Sequence, residues 1–237
     1  MTVAHMASLA APQLRGWPSL QAWLVDRIKR AALRQLHASR AGELLLLRVY
    51  LIGEEATEKT LQQELMPSAP AWLERQVAQH LREEQAHSEL FIAALRERGA
   101  RPPAALRPDW LSRAKIRAWQ RIARRHAPHF QQGVLVSAYA IGLCAEQMAE
   151  RVLSRHCAVL APEHPLQPLL TRVLQDERKH VRLCTRTLER SVSPAEMPQL
   201  QRLLAEARSV DRAFGVSSAL GMYLAGVGLR LRASLFR

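Results

Sequence analysis

Cysteines, aromatic residues and turn formers are all scarce in this chain of 237 residues. The three cysteines, Cys144, Cys157 and Cys184, form no CxxC pair and leave an odd one out, which fits a reducing cytoplasm best. Aromatic residues make up 5%, and 10 Gly and 13 Pro are too few for an all-β fold with many turns. Leu, Ala, Arg, Glu and Gln dominate instead, and these residues favour helices. The composition therefore predicts an all-α fold.

Acidic residues are also scarce relative to basic ones. Lys and Arg total 34 against 21 Asp and Glu, which gives a formal charge of +13. Such an excess suggests an anionic partner such as RNA or a phospholipid surface, although arginine-rich helix faces that only solubilise the protein would look the same. Residues 1–16 show no basic flank before an apolar core of signal-peptide length. We therefore expect a cytoplasmic protein, with peripheral binding at the inner membrane as the alternative.

Apolar residues recur with helical period in several segments that Pro and Gly separate. After a flexible N-terminus over 1–17, we predict a single domain over 18–192 and a C-terminal helical extension over 193–237. The helices at 42–66 and 71–98 look like one hairpin, and those at 130–160 and 166–190 look like a second. A connection over about 99–129, with a short helix from Asp109 to about 126, would cross between them. Two hairpins with a long crossover can form a four-helix bundle.

Each predicted bundle helix carries a carboxylate on its apolar stripe, and two of the helices add a histidine three residues later. Glu and His three apart lie on one helix face, so both can reach the same ion. Carboxylates with imidazoles suit iron or manganese, and also zinc. Four buried carboxylates would repel one another unless cations neutralise them, which favours a metal site. The alternative interpretation is that these residues form buried ion pairs or lie on the surface. The predicted metal ligands are Glu43, Glu84, His87, Glu146, Glu177 and His180.

The order Glu, ExxH, Glu, ExxH on four successive helices resembles the ferritin-like di-iron carboxylate superfamily over about 41–190. Tyr50 stands seven residues after Glu43, as in the E-x6-Y spacing of ferritins and their relatives, so one-electron chemistry at Tyr50 is one expectation. Glu83 and Asp176 precede the two motif glutamates, which resembles the DExxH form of the oxygenases. There the acid accepts a hydrogen bond from the opposite metal-bound histidine. Glu150, one turn after Glu146, is an alternative ligand.

The resemblance implies a ferritin-like bundle that binds two iron ions, with manganese or a mixed Mn/Fe pair as alternatives. It further implies an oxidoreductase of the monooxygenase type, which activates O2 to oxidise or hydroxylate a small-molecule or lipid-like substrate and needs an electron donor. The alternatives are an iron-binding ferroxidase related to ferritin, a hydroxylase directed to tRNA or to a membrane lipid, and an RNA- or membrane-binding helical protein with a vestigial site. The oligomeric state stays open, a homodimer being one choice.

The C-terminal extension contains seventeen residues without a charge, over 213–229, followed by Arg230, Arg232 and Arg237. At 1.5 Å per residue this run would span about 26 Å, which is short of the roughly 30 Å hydrocarbon core of a bilayer. Its four glycines and two serines also make it a poor spanning helix. Two interpretations remain, a helix that caps the bundle core and a helix that docks at a membrane interface.

Overall fold

Seven long helices make up the computed structural model, which describes residues 9, 14–100 and 110–235. No strand occurs in these residues, so the all-α prediction is confirmed. Helix α2 continues through a π-helical turn, Leu61–Leu65, and a last turn, Met66–Ser68. The helices are α1 (Trp17–His37), α2 (Arg40–Thr60), α3 (Glu74–Glu97), α4 (Trp110–His126), α5 (Gly133–Cys157), α6 (Gln167–Ser191) and α7 (Met197–Leu235).

The helix ends follow local chemistry. Ser39 caps α2 by accepting a hydrogen bond from the Gly42 backbone N–H at 3.1 Å. Gly42 itself must lack a side chain, because a Cβ there would lie 2.1 Å from the backbone oxygen of Leu36. Helix α3 ends at Glu97, and Gly99 follows with a left-handed backbone conformation, its φ being 69°. These short turns hold α1, α2 and α3 in fixed register.

Two helical hairpins surround the core. Helix α2 packs along α3, α5 packs along α6, and α3 also contacts α6, so four helices face a common interior. Helix α4 packs against α5 and α7 and lies between the two hairpins in the chain, where the sequence places the crossover. The predicted cap Asp109 and the rest of 101–109 lie outside the described residues. A helical bundle is therefore what the structure supports.

Helix α7 is 39 residues long and lies against α1, α4 and α5. Its first half contributes Leu200, Leu203, Leu204 and Ala207 to the core, and all four are buried. Its second half packs mainly on α1, where Gly226 is close enough that a Cβ would lie 2.8 Å from the Gln35 Cβ. Most of the predicted flexible segment 1–17 lies outside the described residues. Leu9 is described and buried, and its carbonyl oxygen accepts from the side chains of Gln147 and Arg208.

Candidate metal centre

Seven buried side chains converge in the middle of the four bundle helices. They form two overlapping groups, and in each group one potential ligand atom per residue lies within 4.8 Å of all the others. Glu84 belongs to both groups, so its carboxylate lies between two potential ion positions. The first group is His80, Glu84, Glu146 and His180, and the second is Glu54, Glu84, His87 and Glu177. We call these seven residues the buried centre.

Every bundle helix contributes to the buried centre. Helix α3 provides His80, Glu84 and His87, whose spacings of four and three residues place them on one face. Helix α6 provides Glu177 and His180 at the same spacing of three. The two remaining helices, α2 and α5, each provide one glutamate, Glu54 and Glu146.

Distances between the side chains have the scale of a coordination shell. The Glu84 Oε1 lies 3.0 Å from the Nδ1 of His180 and 3.2 Å from the Nε2 of His80. In the second group the Glu54 Oε2 lies 3.4 Å from the Nδ1 of His87. Ligand atoms bound at about 2.1 Å to one ion are separated by about 3.0–3.4 Å in octahedral and tetrahedral geometry. The apolar packing around the centre thus holds these groups at spacings that fit a metal ion.

Several atoms of the buried centre have no hydrogen-bond partner among the described residues. These atoms include the Nδ1 of His87 and of His180, although each faces a carboxylate oxygen. The Nδ1 of His80 and the Oε2 of Glu177 are also unpartnered. Buried polar atoms are nearly always hydrogen-bonded, and each exception calls for a reason. Lone pairs that face one another in a dry pocket fit a bound cation, so the residues present suit a metal pair.

The outer nitrogens of two histidines are hydrogen-bonded to acids, as the resemblance led us to expect. The Nε2 of His180 lies 2.9 Å from Glu83, and the Nε2 of His87 lies 3.4 Å from Asp176. Each acid comes from the helix opposite its histidine. Because a carboxylate only accepts, it holds the proton on Nε2 and leaves Nδ1 free to bind an ion. Both acids therefore select the tautomer that a metal ligand needs.

The electrostatics of the buried centre also call for positive charge. Burial raises the pKa of Glu54 to about 8 and that of Glu177 well above its ordinary value. Burial opposes the charged forms of Glu84 and His80 too, but polar contacts outweigh it. His180 and His80 lower the pKa of Glu84, and Glu146 and Glu84 raise the pKa of His80 to about 10. The pocket can thus ionise only some of its carboxylates unless cations enter.

Glu43 is not part of this centre, which corrects the sequence-based expectation. It lies in the first turn of α2, eleven residues or about 16 Å along the axis from Glu54. Eleven residues are close to three full turns, so Glu43 and Glu54 share a helix face but differ in height. Glu54 takes the place that Glu43 was expected to hold. Glu84 lies thirteen residues into the predicted helix 71–98, and an antiparallel partner that ends at 66 would bring residue 53 beside it, so hairpin geometry could have identified Glu54.

Glu43 instead joins a second group of polar residues at the end of the bundle, which we call the end cluster. Its Oε1 lies 3.0 Å from the Nδ1 of His37 and 3.1 Å from the Nε2 of His164. Its Oε2 accepts from the Nε of Arg98 at 2.8 Å. The Nε2 of His37 contacts the Nε2 of His156 at 2.5 Å. The end cluster comprises His37, Glu43, Arg98, His156 and His164.

The other predicted residues are placed as follows. Tyr50 bonds the Nδ1 of His156 through its hydroxyl at 2.7 Å and stacks on Phe91, with ring centroids 5.3 Å apart. It therefore contacts the end cluster, while its expected one-electron role stays a prediction.

Glu150 accepts from Arg178 at 3.2 Å near the surface, and Glu146 rather than Glu150 lies in the buried centre. His80 was not among the ligands predicted from the sequence, although it lies four residues before Glu84 on the same face.

A cavity of about 460 Å³ adjoins the buried centre. Glu54, Glu84, Glu146 and Glu177 contribute to its wall, but most of the lining is apolar. Helices α4 and α7 supply apolar groups that include Ile116, Trp119, Phe214 and Met222. A volume of roughly 300–1,000 Å³ is typical of pockets for small ligands. The cavity gives an organic molecule space beside the buried centre.

Comparison of the chain with protein-family models, with curated proteins and with solved structures finds no match. The fold and the site themselves define the class of the protein, a helical bundle with buried His/Glu groups that could hold metal ions.

Proposed function

We propose that the protein is a ferritin-like oxidoreductase of the di-iron type, which binds two metal ions and uses O2 to oxidise or hydroxylate an organic substrate. The observation that carries the proposal is the buried centre itself, seven potential ligands beside a mostly apolar cavity, four of which have an unpartnered atom. The resemblance to di-iron proteins favours two iron ions, and manganese or a mixed pair are alternatives because carboxylate and imidazole ligands suit both metals. When bound and reduced, such a pair would supply electrons to O2.

The side chains have separate roles in this proposal. Glu54, His87 and Glu177 would hold one ion, His80, Glu146 and His180 would hold the other, and Glu84, which belongs to both groups, could serve either. Glu83 and Asp176 keep the protons on the outer nitrogens of His180 and His87, and thereby orient the rings. Leucine and aromatic side chains around the centre exclude water, which strengthens every charge interaction inside.

The cavity supports an apolar, lipid-like substrate. Most of the exposed area of its wall is apolar, and the charged side chains outside the centre are Lys29, Glu64, Lys115, Arg124, Arg155 and Asp211. Lys115 and Asp211 neutralise each other, since Nζ lies 2.6 Å from the carboxylate. A hydrocarbon chain or ring would thus meet leucine, isoleucine and aromatic contacts up to the metal ligands. This favours an enzyme with an organic substrate over an iron-storage protein, for which a discrete substrate cavity serves no purpose.

Anaerobic titration with Fe(II), followed by Mössbauer spectroscopy, tests the metal part of the proposal. We expect two irons per chain in the wild type and none in the Glu84→Ala/Glu177→Ala variant. Glu150→Gln provides the matched control for Glu146→Gln, because both residues lie on α5 one turn apart but only Glu146 lies in the buried centre. Glu146→Gln should weaken binding of one iron, and Glu150→Gln should leave both unchanged.

Exposure of the loaded protein to O2 then tests the enzymatic part. We expect O2 consumption that an electron donor sustains and an apolar substrate accelerates. Stoichiometric zinc held by a single four-ligand site, or metal retained by the double variant, would overturn the proposed centre. Growth of a mineral from many irons per chain, with no response to substrates, would favour the ferroxidase alternative.

A further inference from the structure

Two helices present apolar side chains to the outside of the bundle. On α1, Trp17, Leu20 and Leu24 recur at helical spacing and are 75, 52 and 51% exposed. On α7, Leu220 and Leu224 lie one turn apart and are 48 and 67% exposed. Leu231, two turns further along α7, continues this stripe at 59%. Single exposed apolar residues are common, but a run of this length on adjacent helices is not.

The two stripes belong to one surface. A surface groove is lined by Leu24 and Ile28 of α1 together with Leu220 and Tyr223 of α7. Further along, the guanidinium of Arg230 on α7 donates to the Gln35 side chain on α1 at 3.1 Å. The helices therefore lie side by side with their apolar stripes adjoining. We call this surface the α1–α7 face, defined by Trp17, Leu20, Leu24, Leu220, Leu224 and Leu231.

Arginines accompany the apolar groups on this surface. Arg27, Arg30 and Arg34 line the same groove as Leu24 and Leu220. The Arg27 guanidinium lies 5.2 Å from the centre of the Trp23 ring. Tryptophan and leucine beside arginine are typical of helices that lie in the headgroup layer, where the rings and chains enter the acyl boundary and the cations meet lipid phosphates.

We propose that the α1–α7 face docks in the plane of an anionic lipid bilayer. The charge of +13 attracts the protein to such a surface, and the exposed tryptophans and leucines anchor it there. This inference rests on the outer face of α1 and α7 and not on the metal centre.

Helix α7 lies on the bilayer rather than across it. Met197–Arg232 is long and apolar enough to span a membrane, and only 11% of its most apolar 18-residue stretch is buried. However, Ala219 is buried and Gly226 lies close to α1, so one side of α7 packs against the rest of the protein. The structure thus combines the two interpretations of the C-terminal extension, with a packed inner side and an apolar outer side.

A lipid surface fits this face better than a second copy of the chain does. A two-fold dimer through the groove would bring two sets of Arg27 and Arg34 together, whereas anionic lipids would neutralise them; Arg30 is already paired with Asp26 at 2.6 Å. The inner sides of α1 and α7 also line the large cavity, through Leu33, Phe214 and Met222. Docking would therefore place one wall of the cavity against the lipid.

Co-sedimentation with vesicles tests the inference. We would compare vesicles of pure phosphatidylcholine with vesicles that contain about one third phosphatidylglycerol. We expect the wild type to bind the anionic vesicles at least tenfold more tightly. Trp17→Ser/Leu224→Ser should reduce this binding at least tenfold, and Arg27→Gln and Arg34→Gln about fivefold each, since each removes one cation near the surface.

Trp110 provides the matched control, because it is 71% exposed on α4 and lies outside the α1–α7 face. Trp110→Ser should bind vesicles like the wild type, and circular dichroism should show unchanged helix content in every variant. The same comparison in the Glu84→Ala/Glu177→Ala background separates docking from the metal centre. Equal binding by Trp17→Ser/Leu224→Ser and the wild type would overturn the inference. So would a dimer in analytical ultracentrifugation that this double variant dissociates, together with no vesicle binding by the wild type.

Discussion

The buried centre and the end cluster are built from the same residue types, yet their polar groups are balanced differently. In the end cluster a single carboxylate, Glu43, faces three donors, and Arg98 supplies a permanent positive charge. The Nδ1 of His164 accepts from the Leu166 backbone, so the proton of its neutral ring lies on Nε2, which points at Glu43. Every group there has a partner without a metal ion.

The buried centre has the opposite balance. Its four carboxylates face three imidazoles and no lysine or arginine, and four of its atoms lack partners within the described part of the chain. His37, Glu43 and His164 are also close enough to surround an ion, but proximity alone does not define a metal site. The proposed metal site therefore has more acceptors than donors, whereas the matched donors and acceptors of the end cluster form a hydrogen-bond network.

Alanine substitution of Glu54 and of Glu43, both on α2, gives the largest predicted contrast. Glu54→Ala should weaken binding of one metal ion by at least about 100-fold, because it removes a ligand from a closed set. Glu43→Ala, on the same helix face eleven residues away, should change metal affinity by less than about threefold. Titration of each variant with Fe(II) or Co(II) measures both. Comparable losses in the two variants would mean that Glu43 does bind metal.

Stability without metal should show the reverse order. In metal-free protein, Glu43→Ala should lower the free energy of unfolding by about 1–3 kcal/mol, because His37, His164 and Arg98 lose their acceptor. Glu54→Gln should be neutral or stabilising, because it removes a carboxylate that burial disfavours. Urea unfolding in the presence of a chelator measures both changes. A larger loss of unfolding free energy for Glu54→Gln than for Glu43→Ala would contradict the excess of acceptors proposed for the buried centre.

The acids outside the buried centre should have smaller effects than its ligands. Asp176→Ala and Glu83→Ala should each weaken metal binding or activity by about 10–100-fold, because the histidine opposite loses the acceptor that fixes its tautomer. Asp176→Asn and Glu83→Gln should recover part of the loss, since the amide oxygen still accepts. Competition with a coloured chelator reports the affinities. An unchanged affinity in both alanine variants would exclude this role.

The pH dependence of stability should distinguish the end cluster through His156. Burial lowers the pKa of His156 to about 3 from an ordinary value of 6.5. Between these pH values His156 is protonated in the unfolded chain but neutral in the folded protein. The free energy of unfolding therefore falls as the pH falls, by up to about 1.4 kcal/mol per pH unit. His156→Gln should remove that contribution. Unfolding of metal-free wild type and His156→Gln between pH 5 and 7.5 gives the slope of the unfolding free energy against pH for each. We expect a steeper slope for the wild type, and equal slopes would mean that His156 is protonated in the folded protein.

Much of the fold was predictable because helix length, apolar period and proline positions are local properties. The predicted helix at 166–190 is observed at Gln167–Ser191, and the one at 71–98 at Glu74–Glu97. The faces of Glu84, His87, Glu146, Glu177 and His180 were predictable for the same reason, and the structure brings these five residues together. The period of a helix gives the face of a residue.

The period does not give its height, and the misplacement of Glu43 follows from this. Height depends on where a helix meets its antiparallel partner, which is set by turns such as 69–73. The E-x6-Y spacing favoured Glu43, but Tyr50 bonds His156 of the end cluster instead. The ExxH spacing on α3 identifies Glu84 and His87, but it does not include His80, which lies one turn before Glu84. The exposed α1–α7 face depends on which sides of two helices pack together, and a single stripe cannot specify that.

If the buried centre binds two metal ions as proposed, the ligand composition would also influence the redox potential of that pair. Four carboxylates, when all are ionised, carry four negative charges, and the three imidazoles remain neutral as ligands. Two divalent ions would make the centre electrically neutral in a nearly dry pocket. Two trivalent ions would leave two positive charges that the ligands do not compensate, and uncompensated charge is costly at low dielectric constant. We therefore expect the centre to stabilise the reduced pair and to give up electrons only as further anions bind.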